Sequence, residues 1–171
     1  MAGKIDKKIL FAAWACNNKN YFPYQTWRTP LQKIFKEFIV FDPQECIYQY
    51  GKKEMNKKFL EIVEKEKPDF IYFWLIYDEF YIDTLLKIKK ISPKTRTVNF
   101  FGDDDVMFEN FSRYYALFID YPLVSHKLYF SKYKKEGIKN AFYSYGFNTD
   151  NYKPLGLEKK YDATFIGTPM G

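Results

Sequence analysis

The sequence predicts an α/β fold: a Rossmann-like, doubly wound parallel sheet flanked by helices. Three observations carry that expectation. Short and nearly continuous apolar runs recur along the chain, the mark of strands covered on both faces. Segments with helical apolar spacing alternate with them. The intervening stretches are long enough for β-α-β crossovers, which force parallel strands and right-handed connections. No internal repeat or low-complexity stretch competes with this pattern.

The first strand is Lys8–Ala13, almost wholly apolar. Thr29-Pro30 predicts a helix start, with Thr as N-cap and Pro in the first turn. Leu31, Ile34, Phe35 and Phe38 then continue at i, i+3, i+4 and i+7. Ile39–Phe41 reads as a short second strand. Lys52–Lys67 predicts a helix with Met55, Phe59, Ile62 and Val63 inward and the pairs Glu54/Lys58 and Glu61/Lys65 outward. Pro68 ends it. Phe70–Trp74 is the third strand, central by its unbroken hydrophobicity. Asp78 is placed to cap the next helix, whose inward face uses Ile82, Leu85, Leu86 and Ile88 before Ser92-Pro93 stops it. Thr95–Phe101 is a fourth strand, Phe108–Tyr115 an aromatic helical segment and Leu123–Ser125 a fifth strand. Lys127–Glu136 is a helix closed by Gly137, and Ala141–Ser144 is the last strand of this body.

Beyond a polar linker, Asp162 to Ile166 reads as one more strand and Gly167-Thr168-Pro169 as the turn after it. A strand feeding a glycine turn opens a new α/β unit. The expected organisation is therefore a domain at residues 1–155, with 156–171 as linker and first strand of a second.

Composition narrows the function classes. The chain has 171 residues, 47% hydrophobic and 28% charged, ordinary for a globular protein with one core. The longest apolar run, Phe70–Tyr77, is far short of the ~20 residues of a membrane span. The N-terminal residues hold no apolar stretch of signal-peptide length, so a cytoplasmic location is expected. Cys16 and Cys46 lie in no metal spacing and are expected to be free thiols. A net charge of +6 suits an anionic partner, but the lysines are scattered in the manner of solvated helix faces. A non-catalytic binding module for an anionic partner is thus one reading, and peripheral membrane association is compatible with it. No specific nucleic-acid binding is expected.

In open parallel sheets, ligands bind outside the carboxyl ends of the strands. That rule selects the loops Trp14–Tyr24, Leu75–Asp78, Gly102–Phe108, Ser125–Lys127 and Tyr145–Asn151. The first loop, Ala13-Trp-Ala-Cys-Asn-Asn-Lys-Asn20, lacks the glycines with which a dinucleotide or P-loop turn approaches phosphate. Its aromatic residues Trp14, Tyr21, Phe22, Tyr24 and Trp27 suit an organic acceptor, or else pack over the sheet edge. Asp103-Asp104-Asp105 admits three readings. One is helix-start capping; another is an acceptor site in which crowding raises a carboxyl pKa toward that of a general base; the third is a D-x-D pair for a divalent cation. His126, the only histidine, is either a structural hydrogen-bonder or a base near the same edge. Tyr77-Asp78 is a candidate on the same terms.

The ordered set Ile9-Leu-Phe, Lys67-Pro-Asp-Phe-Ile-Tyr, Phe101-Gly-Asp-Asp-Asp105, Leu123-Val-Ser, Tyr145-Gly-Phe-Asn-Thr-Asp-Asn-Tyr-Lys-Pro154 and Tyr161-Asp-Ala-Thr-Phe-Ile-Gly167 resembles a known family. It is similar to the N-terminal domain of GT-B glycosyltransferases, the CgeB-like (spore maturation protein-like) group among them. The resemblance implies a cleft between two Rossmann-like halves. The N-terminal half would bind a hydroxyl acceptor (glycan, lipid-linked glycan or protein) and a second half the nucleotide-sugar donor. It implies no bound metal and no cofactor, a fragment without turnover by itself, and Gly167 in the turn near the donor phosphates. No motif of that group fixes the base, so Asp104 and His126 are the candidate catalytic residues from their place at the strand ends. Trp14, Tyr77, Asp78, Asp103 and Asp105 are the candidate acceptor-binding residues.

Overall fold

The apolar run Phe70–Trp74 lies inside the sheet, between Ile5–Ala13 on one side and Arg96–Phe101 on the other. The computed structural model describes residues 3–144, 146, 148–165 and 167. Among them, six strands form one parallel sheet: β1 (Ile5–Ala13), β2 (Phe35–Phe41), β3 (Phe70–Trp74), β4 (Arg96–Phe101), β5 (Tyr121–Val124) and β6 (Phe142–Tyr143), in the order β2-β1-β3-β4-β5-β6. The chain moves outward from β1 to β2, then crosses back to place β3 on the other flank of β1. This is a topological switch point, of the kind at which open α/β sheets hold ligands.

Strand alternation divides the core. Leu10 and Ala12 of β1, Ile71 and Phe73 of β3, Phe101 and Val124 meet the longer helices on one face. Those helices are α2 (Pro43–Glu66), α3 (Ile82–Ile91), the helical run formed by α4 (Asp104–Met107) and α5 (Arg113–Tyr115), and α6 (Phe130–Lys135). Phe59 of α2 is fully buried there, with ring centroids 5.1, 5.7 and 4.6 Å from Phe41, Phe73 and Phe80. Ile9, Phe11, Ala13 and Tyr72 face the other way, against the short helix α1 (Thr29–Ile34) and the π-helical turn Tyr24–Arg28 before it.

Several local expectations are corrected. Thr29 is not an N-cap: the helical path already begins at Tyr24, and the Thr29 hydroxyl donates back to the Tyr24 carbonyl at 2.7 Å. Phe35 and Phe38 belong to β2, not to a helical stripe, because pairing with β1 rewards the β-prone run Phe38-Ile-Val-Phe41 more than another helical turn would. α2 starts at Pro43, nine residues before the expected Lys52; Asp42 caps it by accepting from the Gln44 and Glu45 amides, and Gly51 at φ 80° kinks it. Neither expected glutamate–lysine pair forms; Lys57 lies between Glu54 (3.6 Å) and Glu61 (3.8 Å) instead. Asp78 does not cap α3, whose first free amide, Tyr81, is taken by Asn56 of α2 at 3.0 Å. Leu86 points outward, while Leu85 and Ile88 are buried. Asp162–Phe165 are exposed and belong to no strand; Ile166, Thr168 and Pro169 of the expected strand and turn lie outside the described residues, as do Tyr145 and Phe147. Cys16 and Cys46 are both free. No helix among the described residues is long and apolar enough to cross a membrane.

Candidate functional site

A cleft of about 490 Å³ opens where β3, β4 and β5 end. One wall is Phe22, Trp74, Leu75, Ile76, Tyr77 and Phe100; Val106, Met107 and Phe111 form the other; Asp103, Ser112, Ser125 and His126 supply the polar groups. The first wall is held from outside by two buried polar side chains. Asn99 is fully buried on β4; its carboxamide oxygen accepts from the Leu75 amide at 3.2 Å and so fixes the chain leaving β3. Glu79 is 3% exposed, and its two oxygens accept from the Ile76 and Tyr77 amides, each at 3.1 Å. Burial pushes the Glu79 carboxyl above the usual range, against the pull of those amides.

The first loop shows why no phosphate cradle forms. Ala15, at φ 50°, directs its amide to Asp42 Oδ1 at 3.2 Å, and Arg28 donates to the Cys16 carbonyl at 3.0 Å. The Ala15 amide is thus already paired within the protein. The aromatic residues of the loop divide. Trp27 packs on Tyr72 and Phe100, with centroids at 5.3 and 4.9 Å, and is part of the core. Phe22 reaches over Trp74 at 6.0 Å and enters the cleft. Trp14 stands behind Tyr77, edge to face at 6.4 Å across the switch point, and braces it without lining the cleft.

The acidic triplet separates into three roles. Asp103 is the cap residue of α4 by position, yet its side chain makes no capping hydrogen bond; its carbonyl starts the helix ladder toward Val106 and Met107, and the residue lines the cleft. Asp104 is 1% exposed and turned inward, accepting from the Tyr133 hydroxyl at 3.0 and 3.1 Å and from Ser112. Burial raises its carboxyl, and the Ser112 and Tyr133 hydrogen bonds offset only part of that. A group enclosed in this way does not reach a hydroxyl in the cleft, which corrects its candidacy as the base. Asp105 is exposed, with Oδ1 3.9 Å from His126 Nδ1.

His126 lies on the cleft floor, half exposed, with no capping bond to the turn it precedes. Asp78 is turned away: its carboxylate is 79% exposed and binds Lys52 at 2.7 Å, which lowers its pKa, and it does not line the cleft. Gly167 is likewise outside the lining, backed against the ring of Phe165. The cleft therefore unites Tyr77, Asp103 and His126, with Trp14 and Asp105 beside them. Among the described residues no cluster of three or more His, Cys, Asp or Glu could hold a metal ion.

Sequence reasoning missed Asn99, Glu79, Asn56 and Ser125. Asn99 was detectable as a carboxamide inside an apolar strand, a residue that needs partners when buried. Ser125, whose hydroxyl donates to the Gly102 carbonyl at 2.8 Å, ties the ends of β4 and β5 together and carries no such signal. Comparison with protein-family models, with curated proteins and with solved structures finds no match.

Proposed function

We propose that the cleft is the acceptor site of a glycosyltransferase of the GT-B kind, in which a second domain presents the nucleotide-sugar donor. The observation that carries this is an aromatic-walled cleft, at the carboxyl ends of the strands, whose lining includes a carboxylate (Asp103) and an imidazole (His126) that make no helix-cap hydrogen bond among the described residues. Aromatic faces stack on sugar rings, and a free base beside them can take a hydroxyl proton. In the reaction the acceptor O–H gives its proton to Asp103 or His126. Its oxygen bonds to the anomeric carbon as the bond from that carbon to the diphosphate breaks, and a nucleoside diphosphate leaves. Asp105, 3.9 Å from His126 Nδ1, is placed to orient the imidazole. Tyr77, braced by Trp14, orients the acceptor.

Titration calorimetry on this chain tests the assignment. Simple glycosides are expected to bind in the millimolar range or tighter, with Asp103→Asn weakening them several-fold, while UDP- and GDP-sugars give little or no heat. Micromolar binding of a nucleotide-sugar to this chain would contradict the division of labour.

A further inference from the structure

The cleft has a chemical character that the net charge of the protein does not share. The chain carries +6, yet among the described residues no lysine or arginine lines the cleft. Its charged lining is the Asp103 carboxylate, with Asp105 close behind His126. Lysines on the neighbouring segments have partners elsewhere: Lys52 on Asp78, Lys132 on Glu109, and Lys127 over the Tyr143 ring at 5.9 Å. A phosphate entering here would lose hydration, face the Asp103 carboxylate and find no lysine or arginine in the described lining in exchange. Most of the lining is apolar, and Phe22, over half exposed, overhangs the mouth beside Trp74 with its ring largely unshielded from water.

From this we infer that the acceptor is uncharged and amphipathic: a sugar or other hydroxyl compound carrying an alkyl or aryl group, with the hydroxyl at Asp103 and His126 and the apolar group against Phe22, Trp74 and Phe100. Sugar phosphates and other phosphorylated acceptors are excluded by the same lining. This rests on the acceptor-site assignment above and specifies its substrate class.

The test uses the whole 171-residue chain and three probes at pH 7: octyl β-glucoside below its micelle concentration, methyl β-glucoside and glucose 1-phosphate. Calorimetry or saturation-transfer NMR is expected to rank octyl above methyl by about tenfold or more, from burial of its added methylenes, and glucose 1-phosphate below both. Phe22→Ala, at an exposed position where folding is not at stake, is expected to weaken the octyl compound far more than methyl glucoside and so remove most of the octyl advantage. Equal affinities for the octyl and methyl compounds, or tighter binding of the phosphate, would overturn the inference while leaving an acceptor site in place. Failure of all three probes to bind would remove the acceptor-site assignment itself, and the inference with it.

Discussion

Replacing Asp104 by alanine separates a structural carboxylate from a catalytic one. The side chain is 1% exposed, and the Tyr133 hydroxyl, on a fully buried residue, donates to it at 3.0 and 3.1 Å. Deleting the acceptor leaves that hydroxyl only its Ser112 contact, which costs about 1–3 kcal/mol. Ser112 also loses its bond to Asp104 and keeps only Tyr133, so a total of about 2–3 kcal/mol is expected. For a chain of this length that corresponds to a Tm lower by about 4–12 °C, at ~2–4 °C per kcal/mol. Urea denaturation followed by tryptophan fluorescence reads the loss, and a cycle with Tyr133→Phe isolates the pair: the two changes together should cost about 1–2 kcal/mol less than their sum. A pH series adds a sign. Because burial raises the carboxyl in the fold, Asp104 contributes most below its unfolded pKa of ~3.9 and contributes less as pH rises through its folded pKa. The stability of the native protein relative to Asp104→Asn should therefore fall from pH 4 toward pH 8. Glycoside affinity should be unchanged in Asp104→Asn and reduced in Asp103→Asn. An Asp104→Asn protein of native stability that had lost glycoside binding would refute the structural role and return Asp104 to the cleft.

Two further outcomes follow from buried polar groups around the sheet. Asn99→Leu strips the Leu75 amide of its acceptor and should cost about 1–3 kcal/mol, with faster hydrogen exchange at Leu75; unchanged exchange there would show that Asn99 does not hold the cleft wall. Asp120 titrates in the opposite sense to Asp104. Burial raises its carboxyl, but the Lys89 ion pair and the Thr97 amide, at 2.7 Å, outweigh that and hold it below the usual range. Its contribution is present above the unfolded pKa of ~3.9 and disappears as pH falls through the folded value. Asp120→Asn should thus be less stable than the native protein at pH 7, with the difference shrinking as pH falls below the unfolded pKa of ~3.9, as thermal melts on the acid side would register; a constant difference would remove the ion pair as its cause.

Periodicity located the six strands among the described residues and most helices, because burial on both faces leaves a local signature, but it also placed a strand at Asp162–Ile166 where the described residues form none. Phe70–Trp74 and the Met55–Phe59–Val63 stripe are examples. Boundaries failed where a distant segment decided them. Phe35 and Phe38 fit a helical stripe, and only the β1 edge makes them strand. Asp78 and the α3 amides are adjacent in sequence, but Asn56 arrives first from α2. The candidate site divides the same way. Tyr77, Asp103 and His126 were reachable because the ends of parallel strands converge on one edge. The direction in which each carboxylate of Asp103-Asp104-Asp105 points was not, since it depends on Tyr133 and Ser112 across the fold.

Local chemistry alone determined the alternation of strand and helix, and hence the parallel sheet and the edge where a ligand can enter: apolar spacing, helix stops and turn residues act over a few neighbours. Which acidic side chain is buried, which is free, and the absence of cations from a cleft in a basic protein were decided only by tertiary packing. Those properties depend on what surrounds a charge within a few ångströms, and most of those surroundings come from residues remote in the chain.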